Sequence, residues 1–146
     1  YQGYLDGTPW KTVDPPLVTH KYDLEPELFC CSDYAPSQKL LATLTACRTT
    51  KPHLLVYAIT QHQQKPPLLC AIDMSTYEHA HAVSFSPRGS FLLVAYNNPQ
   101  QRLDHVLIPV TPENPERMQH HHYLVPSKNT VHTYSVHFSP DDRYLI

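Results

Sequence analysis

The sequence contains one short motif three times, at nearly constant spacing. Each copy reads as an aromatic residue, a small residue, a proline, two turn-forming residues, a polar residue, a large apolar residue and a leucine, at residues 34–41, 85–92 and 138–145. The prolines Pro36, Pro87 and Pro140 lie 51 and 53 residues apart. In the first two copies, Tyr57 and Ile108 each follow that proline by 21 residues. Self-similarity with a fixed period of this size is typical of repeat architectures, so we predict a repeated structural unit.

The middle copy predicts a β-hairpin. Val83 and Phe85 alternate with serines, which is the period-two pattern of a half-buried strand. Pro87 fixes the φ angle that a tight turn requires, and Gly89 tolerates the positive φ of a later turn position. Residues 91–96 form an unbroken apolar run that is too short for a typical helix. This run predicts a second, more deeply buried strand.

The same patterns predict four strands in each repeat. The first repeat covers residues 29–73, with strands near 28–34, 39–45, 53–59 and 68–72. The second covers residues 80–126, with strands near 81–86, 91–96, 104–110 and 119–125. A third, truncated repeat begins near residue 131, and residues 1–28 are predicted to be a linker or lead-in strand. Four strands per repeat is the pattern of a propeller blade. The predicted fold class is therefore all-β: over residues 29–146, a β-propeller fragment of about two and a half four-stranded antiparallel blades.

Charge and hydropathy exclude some classes of partner. The 146 residues include 11 Lys and Arg against 13 Asp and Glu, a formal net charge of −2. Nucleic-acid-binding domains are usually basic, so nucleic acid is not an expected partner. No apolar run approaches the roughly 18 residues that a membrane-spanning helix needs, so no membrane span is expected. The chain begins without Met and its third repeat stops inside a strand. We therefore expect a piece of a longer protein, whose remaining propeller segments pair with its open sheet edges.

The cysteines and histidines predict no metal and no cofactor. The four cysteines are Cys30, Cys31, Cys47 and Cys70, with no Cys-x-x-Cys pair. Such reduced thiols are typical of the cytoplasm or the nucleus. Three consecutive histidines at 120–122 cannot converge on one ion from a strand, because alternate side chains point to opposite faces. His79 and His81 could form half of a zinc site, but only Glu78 accompanies them.

No catalytic motif is present, so we predict a protein that is not an enzyme. The sequence has no nucleophile elbow, no phosphate-binding glycine-rich loop and no His-Glu-x-x-His motif. Asp141 and Asp142 could act as an acid/base pair, but a turn explains both, because Asp142 can adopt the left-handed conformation predicted for Gly89. Arg88 and Arg143 lie in or beside the predicted turns. Since arginine is enriched at protein interfaces, these two are the candidate protein-interaction residues.

The motif resembles the first hairpin of a WD-repeat blade. The residues that carry the resemblance are Phe85-Ser86-Pro87-Arg88-Gly89 and Phe138-Ser139-Pro140-Asp141-Asp142-Arg143-Tyr144-Leu145. Tyr57-Ala58 and Ile108-Pro109 stand where that family places Trp-Asp, and no Gly-His pair precedes the repeats. The resemblance therefore implies propeller architecture without the buried hydrogen-bond network that often braces WD-repeat blades.

The core segments are also similar to the carboxy-terminal half of the split propeller in the Ambra family. The similar segments are residues 39–42, 54–57, 82–87 and 92–96. This resemblance implies a non-catalytic scaffold that serves as a substrate receptor of a cullin-RING ubiquitin ligase in autophagy, with a ligase adaptor as a partner. The alternative is a propeller of the prolyl-oligopeptidase or Tol type, which carries similar Ser-Pro-Asp-x-Arg-Tyr-Leu hairpins beside a hydrolase domain.

Overall fold

The structure, a computed structural model, describes residues 28–46, 52–60, 65–77, 79–100, 102–125 and 136–146. The predicted linker, apart from residue 28, lies outside the described residues, as does Cys47. Within the described residues the chain is predominantly β, with one short helix. The predicted all-β class is confirmed in this form.

Among the described residues, eight strands form two four-stranded antiparallel sheets, each with its strands in sequence order. The first sheet contains β1 (Leu28–Ala35), β2 (Leu40–Ala46), β3 (His53–Ala58) and β4 (Leu68–Asp73). The second contains β5 (Ala82–Phe85), β6 (Phe91–Asn97), β7 (Leu103–Pro109) and β8 (Tyr123–Val125). Helix α1 (Pro115–His120) connects β7 to β8. Neither sheet closes on itself within the described residues, so the described chain forms two open sheets followed by a third hairpin.

The strand register reproduces the repeat that the sequence predicts. In every copy of the motif the aromatic residue pairs with the last leucine: Tyr34 with Leu41, Phe85 with Leu92, and Phe138 with Leu145. In both sheets that leucine pairs on its other side with the residue 21 positions after the motif proline, which is Tyr57 or Ile108. The two sheets are therefore equivalent: residues at corresponding positions of the repeated motif pair with each other in the same way in both.

One strand prediction is wrong. The strand predicted at 119–125 is confined to Tyr123–Val125, because a helix occupies Pro115–His120. Asn114 caps this helix: its side chain accepts a hydrogen bond from the Arg117 amide at 3.2 Å. Proline at the first helical position and Glu116 in the first turn are both favourable there. The helix packs against β4 and fully buries Met118.

The core lies between one face of each sheet. The first sheet contributes Ala35, Leu40, Ala42, Leu44, Leu54, Val56, Cys70 and Ile72, and the second contributes Val83, Phe85, Leu92, Val94, Tyr96, Val106 and Ile108. β5 packs along β1 and β2, and Met74, Tyr77, Ala80 and Met118 complete the cluster. The repeated motif predicts that its phenylalanines, Phe85 and Phe138, are buried between adjacent repeats. This is confirmed for Phe85, whereas Phe138 is only half-buried among the described residues and lies outside this cluster.

Candidate functional site

The turns of the first and second motif copies lie against each other. The Ser37 hydroxyl donates a hydrogen bond of 2.9 Å to the Arg88 carbonyl. A Cβ atom at position 89 would lie 2.7 Å from the Cγ atom of Gln38, so only glycine fits this approach without displacing its neighbour. Gly89 also has a φ of +74°, as its predicted turn position requires.

The carboxylate of Asp142 joins the third motif turn to the second. It accepts hydrogen bonds from the Ser86 hydroxyl at 2.5 Å, from the Arg88 amide at 3.1 Å and from the Ser90 amide at 3.3 Å. Asp142 has a φ of 60°, so it takes the left-handed conformation predicted from Gly89. Burial alone would raise the pKa of Asp142, but these hydrogen bonds outweigh it and hold the pKa below its ordinary value.

Asp141 is engaged within its own turn. It accepts hydrogen bonds from the Ser139 hydroxyl at 2.6 Å and from the Arg143 amide at 3.3 Å. The hydrogen bond from Ser139 is the main reason why the pKa of Asp141 lies below its ordinary value, and the charge of Arg88 contributes to the shift. Both aspartates therefore organise turns, as predicted.

The two predicted interaction residues lie at adjacent turns beside one carboxylate. The side chain of Arg143 is 77% exposed, and its Nε atom lies 3.7 Å from Asp141 Oδ2. Arg88 is exposed and close enough to Asp141 to lower its pKa. Lys39 is exposed in the first turn, with a φ of 52°. Lys39 is not among the interaction residues predicted from the sequence, although its position in the repeated turn is visible there.

His122 forms hydrogen bonds with Tyr77 and Met118, and this contact is here called the His122 clasp. It links the α1–β8 connection to the β4–β5 connection. The Nε2 atom of His122 lies 3.0 Å from the Met118 carbonyl, and its Nδ1 atom lies 3.0 Å from the Tyr77 hydroxyl. A carbonyl can only accept, so Nε2 carries the proton and Nδ1 accepts from Tyr77. The ring of Tyr77 also packs edge-to-face on Tyr96, with centroids 5.1 Å apart. No pattern in the sequence indicates this role of His122, because Tyr77 lies 45 residues away.

The pKa of His122 lies below its ordinary value, mainly because the ring is partly buried. The hydrogen bond to the Met118 carbonyl opposes this shift by favouring the charged form, whereas the nearby His120 and His121 add to it. His120 ends the helix and His121 caps it, and both are exposed. His79 and His81 are the two histidines that could form half of a zinc site. The Nδ1 atom of His81 lies 3.0 Å from the carbonyl of His79. Among the described residues, no three His, Cys, Asp or Glu side chains are arranged to hold a metal ion.

Cys70 is a buried free cysteine on β4. Burial raises the pKa of the Cys70 thiol to about 11, which disfavours the nucleophilic thiolate.

The sole helix among the described residues has six residues and is far too short to cross a membrane.

Comparison with known proteins identifies no relatives. No protein-family model matches the chain, and neither the curated proteins nor the solved structures contain a match.

Proposed function

We propose that this chain is a non-catalytic protein-interaction scaffold, in which the two sheets and the third hairpin are successive blades of a WD-repeat-like β-propeller. The observation that carries the proposal is the row of three motif turns, joined by Ser37 on one side and by Asp142 on the other. A row that is held by hydrogen bonds loses little conformational freedom on binding, so it is well suited to present side chains to a partner. Arg88 and Arg143 are the side chains that we assign to that contact.

The third hairpin supports completion of the propeller by further segments of the same protein. In the two sheets, β2 and β6 each pair with a third strand. The equivalent segment of the hairpin forms no such pairing within the described residues. An open edge of this kind favours pairing with another strand. We therefore propose that a β-strand from elsewhere in the protein pairs there.

In its more specific form, the proposal makes the protein a substrate receptor of a cullin-RING ubiquitin ligase, acting in autophagy in the cytoplasm or the nucleus. This form is based on the resemblance of the core segments to the Ambra family. Its partners would be a ligase adaptor and the protein to be ubiquitinated. Nucleic acid and membranes are not proposed as partners.

The test is binding of the intact protein to a purified cullin-RING adaptor, measured by calorimetry. The double variant Arg88→Gln/Arg143→Gln should bind more weakly than the wild type. Arg102→Gln/Arg117→Gln is the matched control, because it removes two exposed arginines elsewhere and should bind as the wild type does. Absence of adaptor binding would refute the ubiquitin-ligase form. Peptidase activity of the intact protein would instead favour the propeller of a hydrolase.

A further inference from the structure

We propose that Lys39, Arg88 and Arg143, here called the basic row, bind an extended acidic segment of a partner protein through its Asp and Glu side chains. The inference rests on the proposed scaffold function and specifies the chemistry of its partner. Each of the three repeats contributes one exposed basic side chain to the row. The three turns that carry them are adjacent, so the charges lie along one end of the molecule.

The row keeps a net positive charge because its three basic side chains outnumber the two carboxylates beside it, Asp141 and Asp142, which accept hydrogen bonds mainly from other donors. Asp142 accepts from the Ser86 hydroxyl and from two backbone amides of the second turn. Asp141 accepts from Ser139 and from a backbone amide of its own turn. Its contact with the Arg143 side chain is long, at 3.7 Å.

No ion pair within 4 Å engages Lys39 or Arg88 among the described residues. Each of the three basic groups therefore has donors available for an external carboxylate, and each arginine can bind one in a bidentate manner.

The backbone of the row is fixed, so its three charges act together. The hydrogen bond from Ser37 and the close approach at Gly89 hold the first turn to the second, and Asp142 holds the second to the third. An extended peptide can place acidic side chains along such a row without the row rearranging.

An acidic protein segment suits this row better than a nucleic acid does. The chain as a whole carries a formal net charge of −2 and has a pI of about 6.6. Domains dedicated to nucleic acid are usually basic throughout, with a pI above roughly 9. The positive potential of the basic row is therefore local, which favours short-range recognition of a few carboxylates.

The experiment measures binding of the intact protein to a fluorescent oligoglutamate peptide by anisotropy, at low and at physiological salt. The triple variant Lys39→Asn/Arg88→Gln/Arg143→Gln should bind roughly tenfold more weakly. Asparagine is chosen at position 39 because it tolerates a positive φ. Arg102→Gln/Arg117→Gln should match the wild type, and the wild-type affinity should fall as salt rises. Arg143→Gln alone should weaken binding roughly twofold to threefold, which keeps the test valid if the triple variant is misfolded.

Three results would overturn the inference: no binding of oligoglutamate by the wild type, equal binding by the wild type and the variants, or tighter binding of a single-stranded oligodeoxynucleotide of the same length. Adaptor binding that persists alongside any of these would leave the scaffold function standing and remove only the acidic partner. Binding of oligoglutamate without adaptor binding would support the basic row and count against the ubiquitin-ligase form.

Discussion

The first and second repeats are joined differently from the second and third. Between the first two, an apolar face of each sheet packs into one core, and Phe85 is only 8% exposed there. Between the second and third motif turns, the described contact is polar and centres on the carboxylate of Asp142. The first boundary thus has an apolar core in addition to the hydrogen bond from Ser37 to the Arg88 carbonyl, whereas the described contact at the second boundary consists of hydrogen bonds between the turns.

The difference shows that equivalent positions in a repeat need not have equivalent environments. Tyr34 and Phe85 hold the same place in the motif and the same pairing in their sheets. Phe85 faces the first sheet and is buried, whereas Tyr34 is 44% exposed. Because apolar burial stabilises roughly in proportion to the area removed from water, the buried ring of Phe85 should contribute strongly to stability, and Tyr34 should do so only where another segment of the protein covers it.

The largest expected effect comes from breaking the apolar junction. Phe85→Ala should lower the free energy of unfolding by about 3–5 kcal/mol, because it removes a buried aromatic side chain and leaves a cavity. Chemical denaturation of the intact protein measures this value. Tyr123→Ala, at a 52% exposed aromatic residue on the last strand β8, is the matched control, with an expected loss of under about 1 kcal/mol. Equal losses for the two variants would show that Phe85 is not buried between the sheets as described.

A second large effect should come from Met118, which anchors α1 on the first sheet. Met118→Ala should lower the free energy of unfolding by about 2–5 kcal/mol, since the side chain is fully buried. Gln119→Ala changes the next residue of the same helix, which is exposed, and should have little effect. If Met118→Ala is as stable as Gln119→Ala in chemical denaturation, the helix does not pack on β4 as the structure shows.

The contrast between the strands and α1 also shows what the sequence could predict. The shared 21-residue spacing predicts that the two sheets have the same register, because strand pairing must follow a repeated hydrophobic pattern. The signals for α1 were present in Asn114, Pro115 and Glu116, but a six-residue helix is stabilised mainly by packing. That packing depends on contact with β4, which no local pattern shows.

The features of the candidate site also divide into those that the sequence predicts and those that only the structure shows. Arg88 and Arg143 could be chosen from their turn positions, and Asp142 from its tolerance of a left-handed conformation. That Asp142 reaches the turn of the preceding repeat, 52–56 residues away, depends on how the repeats stack. The partner of His122 is likewise 45 residues away in sequence. Long-range hydrogen bonds of this kind leave no spacing signature.

A smaller effect is expected from breaking the polar junction. Asp142→Asn keeps a residue that tolerates the left-handed conformation but removes the charge that accepts from Ser86, Arg88 and Ser90. The expected loss of unfolding free energy is about 1–2 kcal/mol, as for a hydrogen-bonded charged group. Asp141→Asn, at the neighbouring position, should cost less, because Asp141 joins no two repeats. The reverse ranking in chemical denaturation would show that Asp142 is not the link.

The same junction should weaken in acid. The pKa of Asp142 is lower in the folded protein than its ordinary value of 3.8, so the unfolded chain binds the proton more readily. The stabilisation from Asp142 is therefore present above about pH 4 and is lost as the pH falls through the folded pKa. Denaturation midpoints measured from pH 6 downwards should fall less for Asp142→Asn than for the wild type. Parallel curves would contradict this role.

The smallest expected effect concerns the His122 clasp, which fastens the two sheets at a point away from the turns. The pKa of His122 is below its ordinary value of 6.5, so the unfolded chain binds a proton that the folded protein excludes. Stability should therefore fall as the pH drops through about 6.5 and level off below the folded pKa.

His122→Gln cannot titrate and should flatten this dependence in denaturation midpoints between pH 8 and 5. Some slope should remain, because burial also lowers the pKa of His105. His121→Gln removes an exposed histidine one residue earlier and should leave most of the wild-type slope; if it flattens the curve as much as His122→Gln does, the buried hydrogen bonds to Tyr77 and Met118 are not its origin.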